Sequence, residues 1–235
     1  MRRTSSRSIS RDSGAPYRLT LTGADERTSV RNLRALINMH PLVEIGILYS
    51  ANPDGRPRYP SPQWIERTAA ALPQRCSIHI CGGVARAQLL AGELNSLIQH
   101  ADRVQVNGCF PVAEAILLTR CVKTLITQHT LANVSLVASP AHNHQILVDS
   151  SGGTGERPPT WERPVTEKCV GFAGGLGPDN IALELPRIAQ VATGKWWIDM
   201  ETNLRTADWF DTTKAVAVIS AVYPGTSWEP AFHGD

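Results

Sequence analysis

Eight short apolar runs punctuate this chain, and longer stretches with the three-to-four-residue spacing of amphipathic helices lie between them. The runs are Arg18–Thr22, Val43–Tyr49, Ser77–Cys81, Arg103–Asn107, Thr124–Gln128, Gln145–Asp149, Cys169–Ala173 and Trp196–Met200. Most are rich in Val, Ile and Leu, whereas a sheet wetted on one face would alternate apolar with polar; they suit strands covered on both faces. The helical patterns span Ser29–Met39, Ser61–Leu72, Val84–His100, Val112–Arg120, Pro178–Ala192 and Asp208–Val222. Each opens on a capping or proline signal, as in "PSPQWIE" and "LGPDNIA". Strands that return in parallel need crossovers of this kind. Eight such units in about 220 residues predict a single (β/α)8 TIM barrel, near the small end of that architecture's range. A doubly wound open sheet is the competitor. Two stretches fit the repeat poorly: "LANVSLVASP" makes a weak helix, and the connection after Asp149 reads as loop.

Composition narrows the setting. The 235 residues are 42% hydrophobic and 19% charged, with a net charge of +2, ordinary for a soluble globular chain. No apolar run approaches the roughly 20 residues of a membrane-spanning helix. Five scattered cysteines without a C-x-x-C pair indicate neither a disulfide framework nor a zinc site, and a reducing cytoplasm is the expected compartment. The first sixteen residues carry Arg2, Arg3, Arg7 and Arg11 among serines, with Ile9 the one large apolar side chain after Met1. This segment is expected to be a disordered basic tail, with residues 17–235 forming the barrel. Without the tail the chain is close to neutral, which argues against nucleic acid as its main partner.

In a barrel of this kind function gathers where the strands end. Those ends are polar or glycine: Thr22-Gly23-Ala24-Asp25, Tyr49-Ser50, Cys81-Gly82-Gly83, Asn107-Gly108, Gln128-His129, Asp149, Ala173-Gly174-Gly175 and Glu201-Thr202-Asn203. Asp149 leads into a glycine-rich loop that ends in a Pro-Pro turn and Trp161. A carboxylate beside exposed backbone N–H groups suits a reactive site. In "FAGGLGPDNI", Gly174 and Gly175 permit close backbone approach, and the following helix offers unpaired N–H groups at a positive dipole end. On a seventh strand this is where a phosphate usually sits.

Four motifs carry a resemblance. "LVDSSGGTGERPPTWE", "GFAGGLGPDNI", "RYPSP" and "VQVNG" resemble, in order and spacing, the sixth-strand, seventh-strand, second-strand and fourth-strand motifs of the phosphoribosylanthranilate isomerase family. That family performs an Amadori rearrangement, an aldose–ketose isomerisation. The resemblance runs from about Tyr17 to Val222 and implies the barrel, a phosphorylated small-molecule substrate, no cofactor, and acid/base chemistry. It makes Asp149 the acid that opens the sugar ring and Arg58 the cation for a substrate carboxylate. Gly153, Gly174 and Gly175 become further ligand-contacting positions, and Asn203, at the end of the eighth strand, is expected to be another.

The chain departs from the family at three places. Thr22 stands where the family has its catalytic cysteine, Asn107 where it has histidine, and "IDMETNLRT" replaces a glycine-bearing eighth-strand loop. A threonine hydroxyl is no base near neutral pH, so Cys81, Asp25 and Glu201 are the expected stand-ins. His79 reads as a satisfied core histidine. His129, His142 and His144 lack ligand spacing, so no metal is expected. A lyase or epimerase using Asp149 with Glu201 or Asp25, and a non-catalytic phosphate-binding barrel, are the alternatives. No membrane contact is expected, and a homodimer stays open.

Overall fold

The computed structural model describes residues 14–149 and 154–228. Its strands are β1 (Arg18–Thr22), β2 (Val43–Ser50), β3 (Cys76–Cys81), β4 (Arg103–Val106), β5 (Leu125–His129), β6 (His144–Asp149), β7 (Val170–Ala173) and β8 (Trp196–Met200). All eight pair in parallel and in chain order, and β8 pairs back to β1, so the sheet closes into a barrel. β1 and β8 coincide with the sequence reading, and the other six lie within one residue of it at each end.

The helices depart further. The pattern Val84–His100 is two helices, α3 (Gly83–Leu90) and α4 (Asn95–Ile98), because Gly92 adopts φ +79° and turns the chain between them. The other helices are α1 (Val30–Met39), α2 (Pro62–Ala71), α5 (Val112–Cys121), α6 (Ile181–Val191) and α7 (Thr212–Val222). Leu131–Ala138, the weak helix of the sequence, winds as a 3-10 helix. The turn before α7 forms a small antiparallel hairpin, β9 (Arg205–Thr206) with β10 (Trp209–Phe210). α7 itself starts later than expected, at Thr212, where the Asp211 carboxylate accepts from the N–H groups of Thr213 and Lys214.

Outward strand side chains such as Leu19, Ile45, Ile78 and Ile198 meet inward helix positions such as Leu33, Ile65, Leu118 and Ile219 in one buried layer. Each such side chain contributes about 1.5–3 kcal/mol by leaving water. The barrel interior is more polar. At its base Arg103 forms a buried ion pair with Glu44, donates to Thr20 Oγ1 (2.7 Å) and Gln145 Oε1 (3.3 Å), and lies over the Trp197 ring at 4.8 Å. Gly171 makes room for that indole, since a Cβ there would collide with it.

Residues 1–13 of the expected tail lie outside the described residues. Pro16 is buried, and its carbonyl accepts from the Tyr223 hydroxyl at 3.2 Å. The fold therefore begins inside the expected tail. Deleting residues 1–13 is expected to leave the thermal midpoint within a few degrees; a larger drop in a melting experiment would contradict this. Among the described residues no helix is long and apolar enough to cross a membrane.

Candidate active site

The open, C-terminal end of the barrel holds a small cavity of about 60 Å³, lined by Asp149, Asn107, Gln128, Asp199, Glu201 and the β7 glycines among others. Inward side chains of alternate positions reach it: Gln105 pairs in register with His79, and Asp149 with Ala173. A groove of about 470 Å³ over β2–β4 shares Asn107, Gln128 and Glu201 with the cavity, and adds Arg58, Tyr59, Cys81 and Arg86. Ligand sites of drug-sized molecules run to roughly 300–1,000 Å³. The groove has that capacity and the inner cavity does not.

Asp149 ends β6, is almost fully buried, and accepts from Gln128 Nε2 at 3.2 Å. Glu201 forms ion pairs with Arg58 (3.2 Å) and Arg205 (3.6 Å), and Arg58 also meets Asp208 at 3.5 Å. The two residues expected at opposite tasks, Arg58 for ligand charge and Glu201 for proton transfer, are thus paired with each other. Asp25 lies elsewhere. It is fully buried, takes the Phe210 N–H at 2.7 Å and the Arg27 N–H at 3.1 Å, and pairs with Arg205 at 3.7 Å. Its place is to fasten the β9–β10 hairpin to the end of β1, and it does not line the cavity. The Cys81 thiol is pushed up to about 12, chiefly by burial and then by the Glu201 charge. It stays protonated at neutral pH, opposite to the ionised thiol expected of a stand-in base. Gly153 lies outside the described residues.

Gly174 and Gly175 line the cavity with φ +119° and +61°. The approach they permit in this structure is to their own chain: a Cβ at Gly174 would lie 2.9 Å from the Glu156 carbonyl oxygen, and one at Gly175 would lie 2.7 Å from the Arg157 nitrogen. Asn203 Nδ2 donates to the Gly175 carbonyl at 2.8 Å, and its Cβ fills the space left by Gly177. Arg157 and Trp161 then tie the loop to α6 through fully buried Glu184, both at 2.8 Å. That anchor accounts for the Pro-Pro-x-Trp end of the β6–β7 connection. Replacing Gly175 with valine combines a left-handed backbone with this clash, so a loss of about 1–3 kcal/mol is expected. Denaturant titration reads it, and an unchanged midpoint would contradict the packing described.

One cavity residue, Asp199, escaped the sequence reading, and a second, His79, differs from it. Asp199, on β8, accepts from Thr22 Oγ1 at 2.5 Å. Burial raises its carboxyl to about 7; the Thr22 bond and Arg103 act downward, and the charges of Glu201 and Asp149 act upward. His79 is buried and its Nε2 finds no hydrogen-bond partner among the described residues, contrary to the satisfied core histidine expected. Burial, then Arg103, depresses it to about 3, so the imidazole is neutral at ordinary pH. The available signal was parity: Asp199 shares its strand face with Glu201, as Thr22 does with Thr20. Among the described residues no group of three or more His, Cys, Asp or Glu could hold a metal ion.

No protein-family model matches the sequence, and no curated protein matches it. Solved structures do. A phosphoribosyl anthranilate isomerase from Thermotoga maritima is 15% identical over 87% of this chain and 98% of its own, with a TM-score of 0.63. One from Thermus thermophilus is 18% identical with the same coverage and a TM-score of 0.63. A phosphoribosyl anthranilate isomerase in complex with reduced 1-(o-carboxyphenylamino)-1-deoxyribulose 5-phosphate is 14% identical over 87% of this chain and 97% of its own, at 0.62. At such identities the likeness is one of fold, a single (β/α)8 barrel of similar extent.

Proposed function

We propose that this chain is an isomerase of phosphorylated sugar derivatives, converting an aldose form to a ketose form by Amadori-type acid/base chemistry. The observation that carries the reading is the position of Asp149 at the open end of β6, in one cavity with Asn107, Gln128 and the β7 glycines. Asp149 donates the proton that opens the sugar ring. The resulting iminium presents an acidic C2–H to a base in the same cavity. The adjoining groove takes the amine substituent, and Arg58 faces it with a guanidinium suited to a carboxylate. Phosphate is held near Gly174 and Gly175, whose loop must part from Arg157 to admit it. With five free thiols, the chain is assigned to a reducing cytoplasm.

The reduced sugar phosphate bound by one structural neighbour, called the analogue below, is the natural probe. Calorimetric titration with reduced 1-(o-carboxyphenylamino)-1-deoxyribulose 5-phosphate is expected to show saturable binding that Arg58→Ala weakens. A folded protein that binds no analogue contradicts the reading. One observation favours a second reading, a lyase or epimerase with a smaller phosphosugar. Asn203 and Arg157 fill the space beside Gly175 and Gly177, and the inner cavity is small. Under that reading ribose 5-phosphate binds and the analogue does not.

A further inference from the structure

We infer that Asp199, held in place by Thr22, is the base that removes the C2 proton, an assignment that rests on the isomerase reading above. The geometry begins at the first strand. Thr22 occupies the end of β1 and points inward, where Gly46 of β2 leaves it room: a Cβ at Gly46 would collide with Thr22 Oγ1. The hydroxyl reaches across the barrel seam and donates to Asp199 Oδ1 at 2.5 Å. Among the described residues Thr22 is the one hydrogen-bond partner of Asp199. One carboxylate oxygen is thereby fixed, and the other is left to the cavity that Asp149 also lines. Thr22 positions, and Asp199 reacts.

The stand-ins expected from sequence are otherwise engaged. Cys81 is protonated, Asp25 is locked beneath the β9–β10 hairpin, and Glu201 is held by Arg58 and Arg205. Thr22 from β1, Arg103 from β4, Asp149 from β6 and Glu201 just past the end of β8 bear on Asp199, and neutral His79 of β3 lines the same cavity. Their sum, dominated by burial, places its ionisation at about 7, where a general base works best. In the step itself the C2–H bond breaks and its proton passes to Asp199. The bonding pair forms C1=C2 as the C1=N pair returns to nitrogen. The enol then becomes the C2 ketone by losing its hydroxyl proton while C1 gains one. Proton transfer through solvent from Asp199 to Asp149 restores both carboxyls.

The test measures phosphoribosylanthranilate turnover against pH for wild type, Asp199→Asn, Thr22→Val and Thr22→Ser, with analogue affinity measured alongside. Asp199→Asn is expected to lose about 10²–10⁴-fold in kcat while binding the analogue within a few-fold of wild type. The wild-type rate should fall as pH drops through about 7. Thr22→Val removes a donor that favours the carboxylate, so its limb moves to higher pH, whereas Thr22→Ser keeps the wild-type limb. A second readout needs no activity. The folded chain holds a proton on Asp199 that the unfolded chain, at the ordinary value of 3.8, releases earlier. Ionising Asp199 therefore costs stability as pH rises between about 4 and 7. The gain in thermal midpoint from Asp199→Asn should grow across that window and level off above it; a gain flat with pH overturns the assignment. An Asp199→Asn enzyme near the wild-type rate overturns it and leaves the isomerase reading standing. A folded wild type without turnover overturns both. Should Asp199→Asn fail to fold, the Thr22→Val limb decides, and an unmoved limb counts against the assignment.

Discussion

Arg103→Leu is expected to destabilise the protein by about 3–5 kcal/mol, a large part of the roughly 5–15 kcal/mol that holds a domain folded. Arg103 and Glu44 are both buried at the base of the barrel, with Thr20 and Gln145 completing the guanidinium's hydrogen bonds. Removing the cation leaves a carboxylate shut away from water, offset in part by the Thr20 hydroxyl, the more exposed Arg18 at 3.5 Å and the charge of Arg75. The loss comes from that orphaned charge more than from the bond. Replacing both partners, as Glu44→Gln with Arg103→Met, should accordingly cost far less than the single change. Denaturant titration of the two variants distinguishes the cases. Equal losses from the single and double replacements would contradict this account of the barrel base.

The same ion pair shows where a sequence reading stops. The barrel was legible because eight runs such as "EIGILY" and "QILVD" differ from their neighbours in apolar density and spacing, and parallel crossovers leave few architectures for eight such units. The weak helix "LANVSLVASP" winds as a 3-10 turn over Leu131–Ala138 between β5 and β6, which pair directly with each other. Asp149 was legible because it closes an apolar run immediately before a glycine-rich loop. Glu44 and Asp199 sit singly inside apolar strands and Arg103 opens one, and apart from the shared parity of Asp199 and Glu201 nothing local marks them. They meet only across the barrel, Glu44 with Arg103 over 59 residues and Thr22 with Asp199 over 177. Glycine carried its own ambiguity. Gly174 and Gly175 announce a close backbone approach, but only the structure identifies Glu156 and Arg157 as what approaches.

Asp149→Asn is the second large effect expected. An amide keeps the size of the carboxyl and the contact with Gln128, and it cannot serve as the acid that the proposed reaction requires of Asp149. General acid catalysis is typically worth about 10²–10⁴-fold, so kcat should fall by that factor while analogue binding persists. Placement at the strand end, with the side chain almost fully buried, makes the substitution a test of chemistry more than of folding. A coupled assay of phosphoribosylanthranilate conversion by wild type and Asp149→Asn therefore tests the proposed isomerisation. The wild type is expected to convert the substrate, and the variant to lose nearly all conversion. Absence of conversion by a folded wild type, or conversion that Asp149→Asn leaves untouched, would contradict it.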